Sequence, residues 1–167
     1  MNNRGGRERP TRQLPTPPPT LPTRSGAGGR AEVLDPVRRR WVAFTPEEGV
    51  RQRLLRHLLA LGYPAGLLAV ERPFPYMGQM WRADVVAYDR SHRPLVLAEC
   101  KAPGVRLGQA VLDQLARYNT VVKAGILVLT NGAEIAVGTP ADGVVTPLPA
   151  VPPFPNRAEP GGPAWSG

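Results

Sequence analysis

Apolar and polar positions divide the chain into a patterned middle and two unpatterned ends. Val50, Leu54, Leu58 and Leu61 recur at three- and four-residue steps, the spacing of one buried helix stripe. Thr45-Pro46-Glu47-Glu48 precedes the stripe, with an N-cap Thr, Pro at the first helical position and Glu three residues after the cap, which together form a capping-box start signal. Gly62 supplies the stop, because a helix end favours a residue that tolerates positive φ. The pattern predicts a helix over 46–61, then strands over 67–71, 81–89 and 95–101. Pro73 and Pro75 close the first strand, and Pro94 opens the third, where a missing donor does least harm. Leu107, Ala110, Val111, Gln114, Leu115 and Tyr118 predict a second helix through Lys123. A strand over 126–130, a two-residue Asn131-Gly132 turn and a return strand over 135–137 follow. The element order is α-β-β-β-α-β-β, without an internal repeat.

Composition explains the unpatterned ends. Pro (21) and Gly (18) make up nearly a quarter of the 167 residues, about twice the usual share. Residues 1–40 hold seven of the prolines and 140–167 eight, against six in 41–139. This predicts a disordered arm over 1–40, one α/β domain over 41–139 and a disordered tail over 140–167. A middle of this size buries a working core and leaves no room for an ATP-driven motor. The net charge of +8 is lopsided: residues 1–40 carry nine Arg against three acids. A mobile Arg-rich arm suits sequence-blind contact with a polyanion; the plainer alternative is a solvated tail. One cysteine, Cys100, excludes an internal disulfide, and with only His57 and His92 beside it a Cys/His zinc site is excluded too. No apolar run is long enough to span a membrane, and none follows the basic N-terminus as in a secretory signal. The expectation is a soluble cytoplasmic protein.

The chemistry lies in Arg82-Ala83-Asp84-Val85 and Leu97-Ala98-Glu99-Cys100-Lys101. Strand alternation points Glu99 and Lys101 to one face and Ala98 and Cys100 to the other. Asp is disfavoured inside a strand, so Asp84 needs a reason. If the two strands pair, Asp84 approaches Glu99, and a divalent cation relieves their repulsion. Asp84, Glu99 and the Cys100 carbonyl would hold Mg²⁺, for which Mn²⁺ can substitute, with Lys101 beside the metal-bound water. The alternative is a cross-strand salt bridge worth about 0–1 kcal/mol. Lys101 is one of two lysines among nineteen arginines, which favours a role for its compact ammonium.

With Asp84, Glu99-Cys100-Lys101 and this element order, the chain resembles the PD-(D/E)XK nuclease superfamily, and within it the N-terminal nuclease domain of type I restriction-enzyme R subunits. Gln114 and Tyr118 are similar to the Gln-x-x-x-Tyr motif of the superfamily's RecB-like branch, and Thr45 to Gln52 is similar to the family's first helix. Ala83 stands where the motif has Pro. The resemblance covers about 44–137 and implies a restriction-endonuclease-like αβββαβ core with a mixed central sheet. It implies a Mg²⁺-dependent deoxyribonuclease, with DNA as substrate and other restriction or repair subunits supplying recognition or translocation. On this reading Asp84, Glu99, Lys101, Gln114 and Tyr118 are catalytic, with Gln114 and Tyr118 reaching the phosphate or Lys101 from one helix face. Glu48 is a further candidate ligand, with an equal claim as partner in the capping box. Arg82, Arg106, Arg117 and Lys123 are candidate DNA contacts. The alternative function is a non-catalytic nucleic-acid-binding module retaining the fold.

Overall fold

The computed structural model describes residues 12–13 and 20–155. Ten strands and two α-helices follow in order: β1 Arg12–Gln13, β2 Thr23–Ser25, β3 Ala31–Asp35, β4 Arg40–Ala43, α1 Pro46–Ala60, β5 Leu68–Tyr76, β6 Gln79–Tyr88, β7 Pro94–Cys100, α2 Gln109–Val122, β8 Ile126–Thr130, β9 Glu134–Ala141 and β10 Val144–Leu148. The main sheet runs β1-β9-β8-β7-β6-β5, with β10 also on β9. It is mixed: β7 and β8 are parallel, and the other ladders are antiparallel. The expected αβββαβ order is therefore present, as a restriction-endonuclease-like core.

Thr45 caps α1 by accepting the Glu48 N–H at 3.1 Å. At the other end Gly62, with φ 87°, donates to Leu59 and Tyr63 to Leu58, a Schellman stop that the left-handed glycine permits. Val50, Leu54 and Leu58 pack on one sheet face with Val85, Val96, Ala98 and Val128. Leu112, Leu115 and Val122 of α2 cover the other with Ala83, Val86, Leu97 and Leu127.

Both predicted end segments need correction. Residues 23–43 form a three-stranded antiparallel sheet, β2-β3-β4, with Val33 fully buried. Arg24 lies 4.5 Å over the Trp41 ring and 2.7 Å from Glu32, and Arg38 turns inward, so neither is a free arm residue. At the other end β9 runs on to Ala141, β10 pairs with it, and Val151 and Phe154 are buried. The rest of the expected arm and tail, including most of the proline run, lies outside the described residues. Pro73 and Pro75 do not end β5, because β5 is an edge strand and its prolines leave no ladder donor unmet.

Candidate active site

The site is built where two strands part. The β6–β7 ladder ends at Val85↔Ala98, and β7 continues beside β8 through Cys100 while β6 continues only beside β5. Continuing the register puts Asp84 opposite Glu99 just past the last pair. The fork leaves the Cys100 N–H without a strand partner, and the Asp84 side chain takes it: Oδ2 accepts that N–H at 2.7 Å. An Asp inside a strand thus fills the gap in its own ladder.

Side-chain alternation breaks at the same point. Trp81 and Ala83 pack on the α2 side, but Val85 and Ala87 belong to the α1-side core. Glu71, bracketed by the pairs Val70↔Val85 and Arg72↔Ala83, has φ 53°. A left-handed residue with a side chain is strained. The distortion sends the Glu71 carboxylate to Arg38 Nη1 at 2.6 Å.

On the α1 side every carboxylate has a built-in cation. Arg51 donates through Nη2 to Asp84 Oδ1 at 2.6 Å and through Nη1 to Glu48 Oε2 at 2.5 Å. Arg38 donates to Asp35 Oδ2 at 2.7 Å and to Glu48 Oε1 at 3.1 Å as well as to Glu71. Gln52 Nε2 donates to Asp35 and Glu48, both at 2.8 Å. Burial alone would raise the Asp35 pKa, but donation from the Arg38 backbone, Gln52 and the Arg38 side chain holds it below the usual carboxylate range. Arg51 is held firmly protonated: burial opposes its charge, and the Asp84 carboxylate more than offsets that.

The β7 end is different. Lys101 Nζ donates to Glu99 Oε1 at 2.8 Å, and this is the one cation bonded to Glu99 among the described residues. Burial, followed by the charge of Asp84, raises the Glu99 pKa, and Lys101 only partly offsets this. The Lys101 pKa is also raised: burial lowers it, but the bond to Glu99 and the surrounding carboxylates win. Lys101 is therefore an ammonium at neutral pH.

Several expected residues meet here. Lys101 and Glu99 bond each other, as strand alternation implies, and Glu99 feels the charge of Asp84, whose own oxygens turn to Arg51 and the Cys100 N–H. Glu99, Val111, Gln114, Leu115 and Tyr118 line one small depression, and Gln114 Nε2 donates to the Tyr118 hydroxyl at 3.1 Å. Tyr118 itself stacks on Trp81 at 4.2 Å and meets Tyr76 edge-on at 5.0 Å, so its ring packs the β5–β6 hairpin against α2. Cys100 meets Asp84 through its amide N–H; its thiol is buried, which pushes its pKa up. Glu48 is neither half of a full capping box nor open to solvent, since Arg38, Arg51 and Gln52 hold its carboxylate. Among the described residues no three His, Cys, Asp or Glu side chains converge to hold a metal ion. Arg82 is exposed, 3.5 Å from Glu71. Arg106 and Arg117 are exposed, and Lys123 caps α2 at φ 60° with its side chain in solvent.

Sequence reasoning missed Asp35, Arg38, Arg51, Gln52 and Glu71. The available signal was Glu48, Arg51 and Gln52 at positions i, i+3 and i+4 of α1, a polar row that shares one helix face.

A mixed sheet that forks at an Asp and carries Glu-x-Lys on the departing strand defines a restriction-endonuclease-like domain. The family model for the type I restriction enzyme R protein N terminus matches residues 46–152, well over half the chain. The chain belongs to that family. The match extends past the expected domain end and includes β10. No curated protein and no solved structure matches the chain. No helix among the described residues is long and apolar enough to cross a membrane.

Proposed function

We propose that this chain hydrolyses DNA phosphodiester bonds with a divalent metal, and that Asp84, Glu99 and Lys101 carry the reaction. The observation that supports this most is the setting of Glu99 at the fork: burial and then the charge of Asp84 raise its pKa, and the Lys101 bond at 2.8 Å only partly offsets them. Carboxylate oxygens such as those of Asp84 and Glu99 are the hard donors that Mg²⁺ or Mn²⁺ takes, so the donor set fits the metal although it offers two side chains rather than three. Mg²⁺ held by Asp84 and Glu99 would supply the Lewis acidity that polarises the phosphate and acidifies a bound water. The chain's own part is electrostatic. Lys101 is protonated, so it acts as a fixed cation toward charge building on the phosphate oxygens, not as a base. Glu99 Oε1 aims that ammonium. Gln114 and Tyr118 bound the cleft beside Glu99, and exposed Arg82, Arg106, Arg117 and Lys123 are available for the DNA backbone. DNA and further restriction or repair subunits are the partners this reading implies.

A second reading has its own support. Both Asp84 oxygens are already engaged, by Arg51 and by the Cys100 amide, as suits a binding module that keeps the fold without the metal. One set of variants separates the two. Lys101→Ala should abolish hydrolysis of single- and double-stranded DNA while keeping the thermal stabilisation by Mg²⁺. Asp84→Ala and Glu99→Ala should lose both. Wild-type protein that neither hydrolyses DNA nor melts higher with Mg²⁺ or Mn²⁺ would leave only the binding module.

A further inference from the structure

The fork frees more than the acidic site. Beyond Asp84 the strands β5 and β6 pair only with each other, from Arg72↔Ala83 to Tyr76↔Gln79. Five residue pairs at ~3.4 Å per residue make a two-stranded ribbon about 17 Å long that runs on past the end of the β6–β7 ladder with one face against α2. Met77 and Gly78 turn it with φ 47° and 75°, a two-residue turn with both φ positive that matches strand twist.

Four features say what this ribbon meets. Its tip is apolar and unusually bare: Met77 is 85% and Met80 68% exposed. Its charge has one sign: Arg72 and Arg82 are exposed, and no acid occurs between Glu71 and Asp84. Pro73 and Pro75 remove donors from its outer edge, which discourages pairing with a strand of another protein. Lastly, the ribbon is braced: Phe74, Trp81, Tyr118 and Tyr76 form a continuous aromatic contact onto α2. A braced arm loses little freedom on binding.

We propose that the β5–β6 ribbon is a groove-entering arm for duplex DNA. A major groove about 12 Å wide admits a two-stranded ribbon. Met77 and Met80 enter the groove and touch base edges, thymine methyls among them. Arg72 and Arg82, at the ribbon's base, take the flanking phosphates and so deliver a backbone to Asp84 and Glu99 at the fork. Tyr118 is then a positioning residue that sets the ribbon's angle. The inference rests on the nuclease reading for its choice of DNA, and it adds the element that grips it.

The test is duplex binding by the full chain in EDTA, titrated with salt, so that hydrolysis and metal play no part. Met77→Ser/Met80→Ser should weaken binding about tenfold or more with an unchanged salt slope. Arg72→Gln/Arg82→Gln should lower the slope by about two, at ~0.9 for each phosphate no longer neutralised. All four side chains are exposed, so melting temperatures should hold. Cys100 is buried, so a photocrosslinker on Met77→Cys labels the tip alone; it should crosslink to the duplex. The same label on Val144→Cys, 65% exposed on β10 at the opposite side of the sheet, should not. Wild-type binding that both double variants reproduce, in affinity and slope, would overturn the ribbon and leave the nuclease reading standing. So would a chain that hydrolyses single-stranded DNA yet ignores duplex. A chain that neither binds nor hydrolyses any DNA would overturn both.

Discussion

Asp84 stands between two regions that treat negative charge in opposite ways. On the α1 side, Asp35, Glu48 and Glu71 share Arg38, Arg51 and Gln52 at hydrogen-bond distance. On the β7 side, Glu99 has one lysine, which is 28% exposed, and a neighbouring aspartate that repels it. The first region is closed electrostatically and holds structure. In the second, a single lysine only partly offsets the burial of Glu99 and the charge of Asp84, a setting that suits an added cation. The three-stranded sheet, which lies before the family match, belongs to the closed region, because it supplies Asp35.

The largest test of that contrast is Arg38→Met. Removing one partner from a buried charge group costs about 3–5 kcal/mol, and three carboxylates each lose a hydrogen-bonded guanidinium here, which for Asp35 is its one ion pair among the described residues. The matching change on the open side, Lys101→Met, should cost about 1 kcal/mol or less. Chemical denaturation of both variants checks this, and equal losses would erase the distinction.

Next come two opposed pH dependences. The Asp35 pKa is depressed in the folded state, so its contribution is present above the ordinary aspartate value of about 3.9 and is lost as pH falls through the folded value. Asp35→Asn should therefore cost about 1–3 kcal/mol near neutrality, with the gap to wild type closing in acid. Glu99 is raised, so its contribution is full below the ordinary glutamate value of about 4.3 and is lost as pH rises through the folded value. Without metal, Glu99→Gln should be more stable than wild type at neutral pH and lose that advantage in acid. Mg²⁺ should narrow the gap by stabilising wild type alone. A neutral-pH loss in Glu99→Gln would mean that the Lys101 bond outweighs the repulsion.

The smallest effect belongs to Tyr118→Phe. It removes one exposed hydrogen bond from Gln114 and keeps the stack on Trp81. Stability should stay within about 0.5 kcal/mol. A loss of hydrolysis with unchanged melting would give the hydroxyl a part in the chemistry, whereas unchanged hydrolysis would leave the ring as packing.

Local signals made most of the core legible. Thr45, Pro46 and Gly62 bound α1 within a residue of its ends, and apolar runs located β6, β7 and β8. Asp84, Glu99 and Lys101 were readable because charge inside an apolar strand demands a partner. What stayed hidden depends on neighbours remote in sequence. Pro73 and Pro75 read as breakers and Pro147 as one of the prolines of a tail, yet they lie in β5 and β10, where one side of each strand has no ladder to break. Asp35 and Arg38 sit in a stretch rich in Pro, Gly and Arg, and only their approach to Glu48 and Gln52 gives them a purpose. Arg51 carries no sign of its partner in the sequence, since nothing local announces a buried carboxylate 33 positions away.

The closing segment also bears on the order of events as the chain folds. Phe154 N–H donates to Leu61 at 2.9 Å, and the Tyr63 hydroxyl donates to Pro152 across 89 positions. Synthesis runs from the N-terminus, so α1 emerges before Pro152 and Phe154 and waits for them before its C-terminal end is covered. Closing so long a loop adds little thermodynamic cost, since each doubling of length costs about 0.6 kcal/mol, but distant contacts slow folding. The same helix carries Glu48 and Arg51. A nascent chain stopped before Val151 would hold every strand of the sheet, yet the helix that steadies Asp84 would still lack the cover over its far end. The far end of α1 is thus covered late, after the strands that carry the acidic centre are all in place.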